Sequence, residues 1–191
     1  MADIKKKQIK KRAVIIKTAA ITITAVIVLA VSSVCIIRAV CPVKYRDEVY
    51  KYSAKHRLEP EFIFAVIKTE SGFKANAESD AGAIGLMQVM PETAAYIAGI
   101  NGIEGFNTRD LYNAEMNIMI GCAYIRYLLD KFIDVKTAAA AYNAGEGNVA
   151  AWLMRGEYSV DGKTLKKIPF KETEQYIKKI DIYMGIYKHI L

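Results

Sequence analysis

One glutamate, Glu70, stands where a helical pattern gives way to a glycine-containing segment. Apolar residues recur at helical spacing after Pro60, so the sequence predicts a helix with one buried face that ends at Gly72. The C-terminal end of a helix favours basic side chains over acidic ones. The helix end and nearby apolar side chains should raise the pKa of Glu70, as a general acid working near neutral pH requires. Glu70 is therefore the candidate catalytic residue.

The elements around Glu70 are mostly helical. Residues 73–88 contain glycines and no long apolar run, which predicts a loop or a small β-hairpin. Surface loops are expected over residues 99–108 and 156–162. Helical patterns cover residues 43–58, 92–97, 113–132, 137–143, a short stretch to Met154, and 171–190. The predicted fold is mainly α, with at most a small hairpin near 73–88.

The charge of the chain is concentrated at its start. The formal net charge is +7, and residues 1–38 carry eight Lys or Arg against one Asp. The remaining 153 residues carry 19 basic and 19 acidic residues and so have no net charge. This balance gives no indication of a nucleic-acid-binding surface.

A stretch of twenty uncharged residues, Thr18 to Ile37, follows the basic leader. As a helix it would be about 30 Å long, which matches the apolar core of a bilayer. The lysines before it predict a cytoplasmic N-terminus and an extracytoplasmic C-terminal part. We therefore expect a basic leader at 1–17, a transmembrane helix at 18–37 and a catalytic domain at 43–191. A cleaved signal peptide is the alternative, although the apolar stretch is long for one.

Three short motifs occur in a fixed order: Glu70-Ser71, the segment GLMQ at residues 85–88, and the segment AYNAG at residues 141–145. In this order and spacing they resemble the catalytic domain of soluble-lytic-transglycosylase-like enzymes, glycoside hydrolase family 23 of the lysozyme superfamily. The resemblance extends from about Tyr45 to the C-terminus and implies a lysozyme-like α+β fold.

The resemblance implies peptidoglycan glycan strands as substrate, with Glu70 as the catalytic residue and a set of substrate-binding residues. Each binding residue also has a structural interpretation: Ser71 as a helix-end residue, Met87 as core, Gln88 as a link to the backbone, and Tyr142 with Asn143 as a helix terminus. A late tyrosine, which in the family faces the catalytic glutamate, is matched by Tyr176. The substrate-binding residues implied are Ser71, Met87, Gln88, Tyr142, Asn143 and Tyr176.

The reaction implied is non-hydrolytic. A conventional glycosidase needs a second carboxylate, and in the sequence the near candidates are Glu78 and Asp80, in the loop. With Glu70 alone, the substrate would supply the nucleophile and close a 1,6-anhydro ring on muramic acid. A hydrolytic muramidase and a non-enzymatic wall-binding module are the alternatives.

No cofactor or metal is expected. Three cysteines and two histidines do not form a zinc-ligand pattern, and Cys122 reads as a core residue. Expected partners are peptidoglycan and, through residues 18–37, the cell membrane; the sequence does not specify a protein partner.

Overall fold

The computed structural model describes the backbone of residues 1–191, and all side chains except those of residues 2–4, 8, 11–15 and 33. The chain divides into two compact units, Met1–Pro42 and Val43–Leu191. The division into leader, transmembrane helix and catalytic domain stays a prediction.

The first unit is one long helix, α1 (Ala2–Val40). Its segment Ile16–Val40 has a mean hydropathy of 2.7 over its most apolar window and is long enough to cross a membrane, a property that signal sequences share. Thr22 and Thr24 donate their hydroxyls to the carbonyls of Ala19 and Ala20, at 2.8 and 2.9 Å. These polar groups are thus satisfied within the helix, as an apolar environment requires.

The second unit contains α2 (Arg46–Lys55), α3 (Pro60–Glu70), α4 (Pro91–Ile100), a 3₁₀ helix (Thr108–Tyr112), α5 (Ala114–Lys131), α6 (Val135–Ala144), α7 (Glu146–Leu153) and α8 (Lys171–Ile190). Between α3 and α4, only isolated β-bridges join Glu78 to Ile84 and Ile84 to Val89. The predicted mainly helical fold, with at most a small hairpin, is confirmed.

The core forms around α3, which packs along α8 and against α2. Phe64 of α3 stacks on Tyr187 of α8, with ring centroids 5.2 Å apart. Six consecutive residues of α3, Phe62 to Ile67, are buried, so the prediction of one buried face was too narrow. A helix at the centre of the core buries all its sides, whereas a sequence pattern assumes that one side meets water.

Several helix ends differ from the sequence prediction: α2 covers residues 46–55 rather than 43–58, and α6 covers 135–144 rather than 137–143. The helix α4 continues through Gly99 to Ile100, two residues into the predicted loop, and the 3₁₀ helix follows it. The 3₁₀ helix begins with a capping box. The Asn107 side chain accepts from a backbone amide of the first turn, and the Asp110 side chain accepts from the Asn107 amide. Asn113 caps α5 as predicted by accepting from the Met116 amide at 3.0 Å.

Candidate active site

Glu70 lies in the last turn of α3, as the sequence predicts, although the helix ends at Glu70 itself rather than at Gly72. The residue is partly exposed, but its carboxyl group is largely removed from water. This burial raises the pKa of Glu70 from 4.5 to about 7, and the negative charge of Glu172 adds to the increase. A carboxyl group with this pKa is divided between its acid and base forms near neutral pH. It is therefore suited to give and take a proton in one reaction cycle.

Tyr176 of α8 faces the Glu70 carboxyl. Its side chain is buried, and its interaction with Glu70 lowers the pKa of that glutamate, against the larger effect of burial. Within the described part of the chain, the Tyr176 hydroxyl has no hydrogen bond of regular geometry. The hydroxyl thus lies beside Glu70 without being fully bonded to it.

The loop at residues 85–88 is held from below by Asn117 of α5, which is fully buried. Its Oδ1 accepts from the Met87 amide at 2.8 Å. Its Nδ2 donates to the carbonyls of Ile84 and Leu111, both at 2.9 Å. One side chain therefore satisfies three buried backbone groups and fixes the loop on α5. Sequence reasoning missed Asn117, although a lone amide on an apolar helix face was a signal for it.

Two glycines allow the loop and α5 to approach closely. Gly85 has a φ of 82°, and a Cβ there would overlap the Asn117 amide and the Leu111 carbonyl. A Cβ on Gly121 of α5 would overlap the side chain of Met87. The buried Met87 thus packs against α5 rather than lining open space, and its predicted contact with sugar stays a prediction.

Ser71 and Gln88 both bind backbone groups. The Ser71 hydroxyl donates to the Leu86 carbonyl at 2.7 Å, and so ties the end of α3 to the loop. The Gln88 Nε2 donates to the carbonyls of Ala77 and Gly85, at 3.2 and 2.9 Å. Gln88 also has a left-handed φ of 47°, which its amide bonds stabilise. Within the described residues, the carbonyl oxygen of the Gln88 side chain accepts no hydrogen bond, and its predicted contact with sugar stays a prediction.

Tyr142 and Asn143 lie in the last turn of α6, just before Gly145. The Tyr142 hydroxyl donates to the Met87 carbonyl at 2.7 Å. Burial raises the pKa of Tyr142 well above 10, and the charge of Glu70 contributes, which puts its phenol near that carboxyl. The structure thus gathers Glu70, Tyr142 and Tyr176 around one point; the binding role of Asn143 stays a prediction.

A row of aromatic side chains extends from Tyr142. The ring of Tyr124 lies 5.1 Å from that of Tyr142, and the ring of Tyr127 lies 6.3 Å from that of Tyr124. Tyr96 makes an edge contact with Tyr127 at 5.8 Å. Such faces pack well on the apolar faces of sugar rings. Sequence analysis did not connect these tyrosines, which lie on three different helices.

The carboxylate that acts on Glu70 is Glu172, in the first turn of α8, and not the two named from the sequence. Glu78 is exposed and accepts a 2.7 Å hydrogen bond from Tyr112. Asp80 is also exposed. Glu172 was missed because it lies far along the chain and only the packing of α3 on α8 brings it near. Among the residues whose side chains are described, no group of three or more His, Cys, Asp or Glu could hold a metal ion.

The chain is similar to known proteins over most of its second unit. Residues 48–165 match the family described as "Transglycosylase SLT domain". The chain is 32% identical over 153 residues to the soluble lytic murein transglycosylase of Escherichia coli K12. This alignment covers 78% of this chain and 24% of the relative. The chain thus spans about a quarter of the length of that relative.

Solved structures show the same fold. The 70 kDa soluble lytic transglycosylase of Escherichia coli has a TM-score of 0.72 at 30% identity, covering 81% of this chain and 25% of that one. An inactive mutant of the lytic transglycosylase Slt from Pseudomonas aeruginosa, with glutamine in place of a glutamate, has a TM-score of 0.69 at 33% identity, covering 78% and 24%.

Proposed function

Since this chain belongs to the Transglycosylase SLT domain family, we propose that it is a peptidoglycan lytic transglycosylase. It cleaves the β-1,4 bond from N-acetylmuramic acid to N-acetylglucosamine and leaves a 1,6-anhydromuramic acid end. One observation carries the proposal: the Glu70 carboxyl is buried at the end of α3 with a pKa of about 7. A wall-binding module would have no use for this buried acid, which costs stability when it ionises.

In the first step, protonated Glu70 gives its proton to the glycosidic oxygen as the bond to muramic acid C1 breaks. The acetamido oxygen of the same sugar attacks C1 and takes up the positive charge. The burial that raises the pKa of Glu70 supports this role, because it keeps a large share of the residue in its acid form near pH 7.

In the second step, ionised Glu70 takes the proton from the C6 hydroxyl of muramic acid. The C6 oxygen then attacks C1, the acetamido oxygen leaves, and the 1,6-anhydro ring closes. No water is consumed, and Glu70 returns to its acid form. Intramolecular attack has a high effective concentration, so it competes well with water.

The remaining residues of the site hold the substrate or the loop. Tyr142 and Tyr176 stand beside the reacting carboxyl, and we propose that they contact the sugar or its acetamido group once the substrate is bound. Asn143 at the end of α6 and the carbonyl oxygen of Gln88 supply further polar contacts. Ser71 acts through the loop, because its hydroxyl is bonded to Leu86.

A hydrolytic muramidase is the second candidate, and Glu172 is the observation that favours it. Its charge acts on Glu70, so it stands near enough to be considered as a base for water. Glu172 is however exposed on α8, and within the described residues no hydrogen bond or ion pair holds its carboxylate in one place, as a base that activates a single water requires. We therefore keep ring closure as the proposed outcome.

We also propose that α1 anchors the enzyme in the cell membrane as a single span, with a cytoplasmic N-terminus and the domain at 43–191 outside. The apolar segment Ile16–Val40 and the lysines before it support this placement. Protease added to intact cells stripped of their wall should digest the C-terminal domain and leave the leader. Protection of the domain would contradict the topology.

The activity is tested with Glu70→Gln, which keeps the shape of the side chain and removes its proton. Cleavage of purified peptidoglycan should fall by about 10²–10⁴-fold, the usual contribution of a general acid or base. The matched control is Glu78→Gln, which removes an exposed carboxylate bonded to Tyr112 and should cleave at near the parent rate. A Glu70→Gln variant that still clears peptidoglycan at that rate would overturn the proposal.

A further inference from the structure

Two adjoining cavities lie where α2, α3 and α5 meet. The cationic cavity, of about 480 Å³, is lined by Lys55, His56, Arg57, Arg126 and Asp130. The apolar cavity, of about 330 Å³, is lined mainly by Leu58, Phe62, Leu129, Ile133, Val135 and Met184. Arg57 and Arg126 line both cavities, so the two lie side by side. Their volumes lie in the range of small-molecule sites, roughly 300–1,000 Å³.

This pair of cavities is separate from the candidate active site. Phe62 lines the apolar cavity from the first turn of α3, whereas Glu70 ends that helix. Eight residues of helix correspond to about 12 Å along its axis. A ligand in these cavities would therefore not occupy the place of the reacting sugar.

The cationic cavity contains polar atoms without partners. Within the described residues, the Nε2 atom of His56 and the Nε atom of Arg126 are buried and have no hydrogen-bond partner. Native proteins rarely leave such groups unsatisfied, so each one calls for an explanation. Both residues line the cationic cavity, so a small rotation of either side chain toward a bound acceptor would supply the missing bond.

Charge in the cationic cavity also lacks compensation. Arg126 pairs with Asp130 at 2.7 Å, but among the described residues Lys55 and Arg57 form no ion pair. Even when Glu59 of the apolar cavity is counted, the side chains that line the two cavities carry a net positive charge. The charges of Lys55 and Arg126 contribute, after burial, to lowering the pKa of His56. The site is thus electrostatically prepared for an anion.

The turn after α2 gives no reason for an arginine at position 57. Its φ of 53° is in the left-handed region that glycine or asparagine adopts most easily at the end of a helix. An arginine there brings a guanidinium to the border of both cavities instead. Guanidinium groups bind phosphate through paired hydrogen bonds.

We propose that the two cavities form one site for an anionic lipid, with its phosphate in the cationic cavity and the start of an acyl chain in the apolar one. The apolar lining suits an acyl chain better than a peptide, whose backbone groups would find few partners there. Only residues 41–45 separate α1 from α2, so the proposed membrane anchor would keep this domain close to lipid. The inference shares that anchoring with the proposed function but does not depend on glycan cleavage.

Binding is measured on the full chain, in micelles of neutral dodecyl maltoside, with isotope-labelled histidine. The chain has two histidines, so the NMR spectrum of the rings separates His56 in the site from exposed His189 outside it. Dodecyl phosphate should shift the His56 signal saturably and leave His189 unchanged. In Arg57→Gln, the dodecyl phosphate concentration at half-saturation, the midpoint of the titration, should rise at least tenfold. The control Arg109→Gln removes an exposed charge elsewhere and should leave that concentration unchanged.

Inorganic phosphate, titrated in the same way, distinguishes a lipid from a free anion. We expect its midpoint to lie at least tenfold above that of dodecyl phosphate, because it cannot use the apolar cavity. Equal midpoints would overturn the assignment to a lipid. A His56 signal that neither compound moves would overturn the site, and tighter binding of an acidic helical peptide would assign it to a protein partner instead. Glycan cleavage should be unaffected in Arg57→Gln, so failure here and failure of the proposed function remain distinguishable.

Discussion

The hydroxyl of Tyr142 donates a 2.7 Å hydrogen bond to the carbonyl oxygen of Met87. This bond joins the end of α6 to the loop at residues 85–88, across a long separation in the chain. The same phenol lies near the Glu70 carboxyl. The segment AYNAG, which sequence comparison alone would assign to sugar binding, therefore also positions the loop.

Replacing Tyr142 with phenylalanine should separate these roles. The variant leaves the Met87 carbonyl without its partner, which costs about 1–3 kcal/mol for a buried group. We expect at least about a tenfold loss of cleavage rate, equivalent to 1.4 kcal/mol, together with a lower free energy of unfolding. Tyr124→Phe is the matched control, since among the described residues no hydrogen bond is formed by the Tyr124 hydroxyl. If both variants cleave at the parent rate, the Tyr142 bond has no role in the reaction.

Asn117 should matter more for stability than any residue chosen from the sequence. In Asn117→Ala, the Met87 amide and the Leu111 carbonyl lose this partner, and the Ile84 carbonyl keeps only its bond from the Val89 amide. The free energy of unfolding, measured with denaturant, should fall by about 3 kcal/mol or more. The control Asn148→Ala removes an exposed bond from α7 to the Ala144 carbonyl at the end of α6, and should change the free energy of unfolding by less than about 0.5 kcal/mol. A small effect at Asn117 would mean that the loop does not depend on this clamp.

A comparison of Glu70 with Asn117 shows what a sequence can and cannot predict about the site. Glu70 was placed at its helix end because helical spacing and Gly72 are local signals, and the loop followed from its glycines. Glu172 carries no local signal of its own, and the amide of Asn117 on an apolar helix face does not reveal which groups it binds. Their roles arise from packing, which brings α5 under the loop and α8 beside α3. The same holds for Gln88, whose amide bonds depend on how the loop closes.

Stability should depend on pH through Glu70. Its pKa in the folded state is about 7, against 4.5 as a reference, so the folded chain holds a proton that the unfolded chain releases. The parent protein therefore loses stability as pH rises from about 4.5 to about 7, by roughly 3 kcal/mol at most. The Glu70→Gln variant should not lose stability over this pH range through position 70, because glutamine does not ionise. Its free energy of unfolding should exceed that of the parent at pH 8 and match it near pH 4; an equal difference at both pH values would show that Glu70 ionises normally.

Glu172→Gln should move the pH dependence of cleavage without removing cleavage. Since the Glu172 charge raises the pKa of Glu70, its loss should shift the alkaline limb of the activity profile to lower pH. The shift should be less than about one pH unit, because burial is the larger cause. The control Glu174→Gln removes a charge on the same helix that is paired with Lys178 and should leave the profile in place. Loss of all cleavage in Glu172→Gln would instead make it an essential second carboxylate.

The chemical form of the released ends tests the central claim most directly. Full-length protein is incubated with purified peptidoglycan, and the soluble muropeptides are examined by mass spectrometry with and without borohydride reduction. If Glu70 both protonates the leaving oxygen and removes the C6 proton, the products end in 1,6-anhydromuramic acid. They are then one water lighter than hydrolytic products, and borohydride does not change their mass. Products of full mass with mainly reducible ends would contradict the account and identify the enzyme as a hydrolase, with Glu172 as the candidate base.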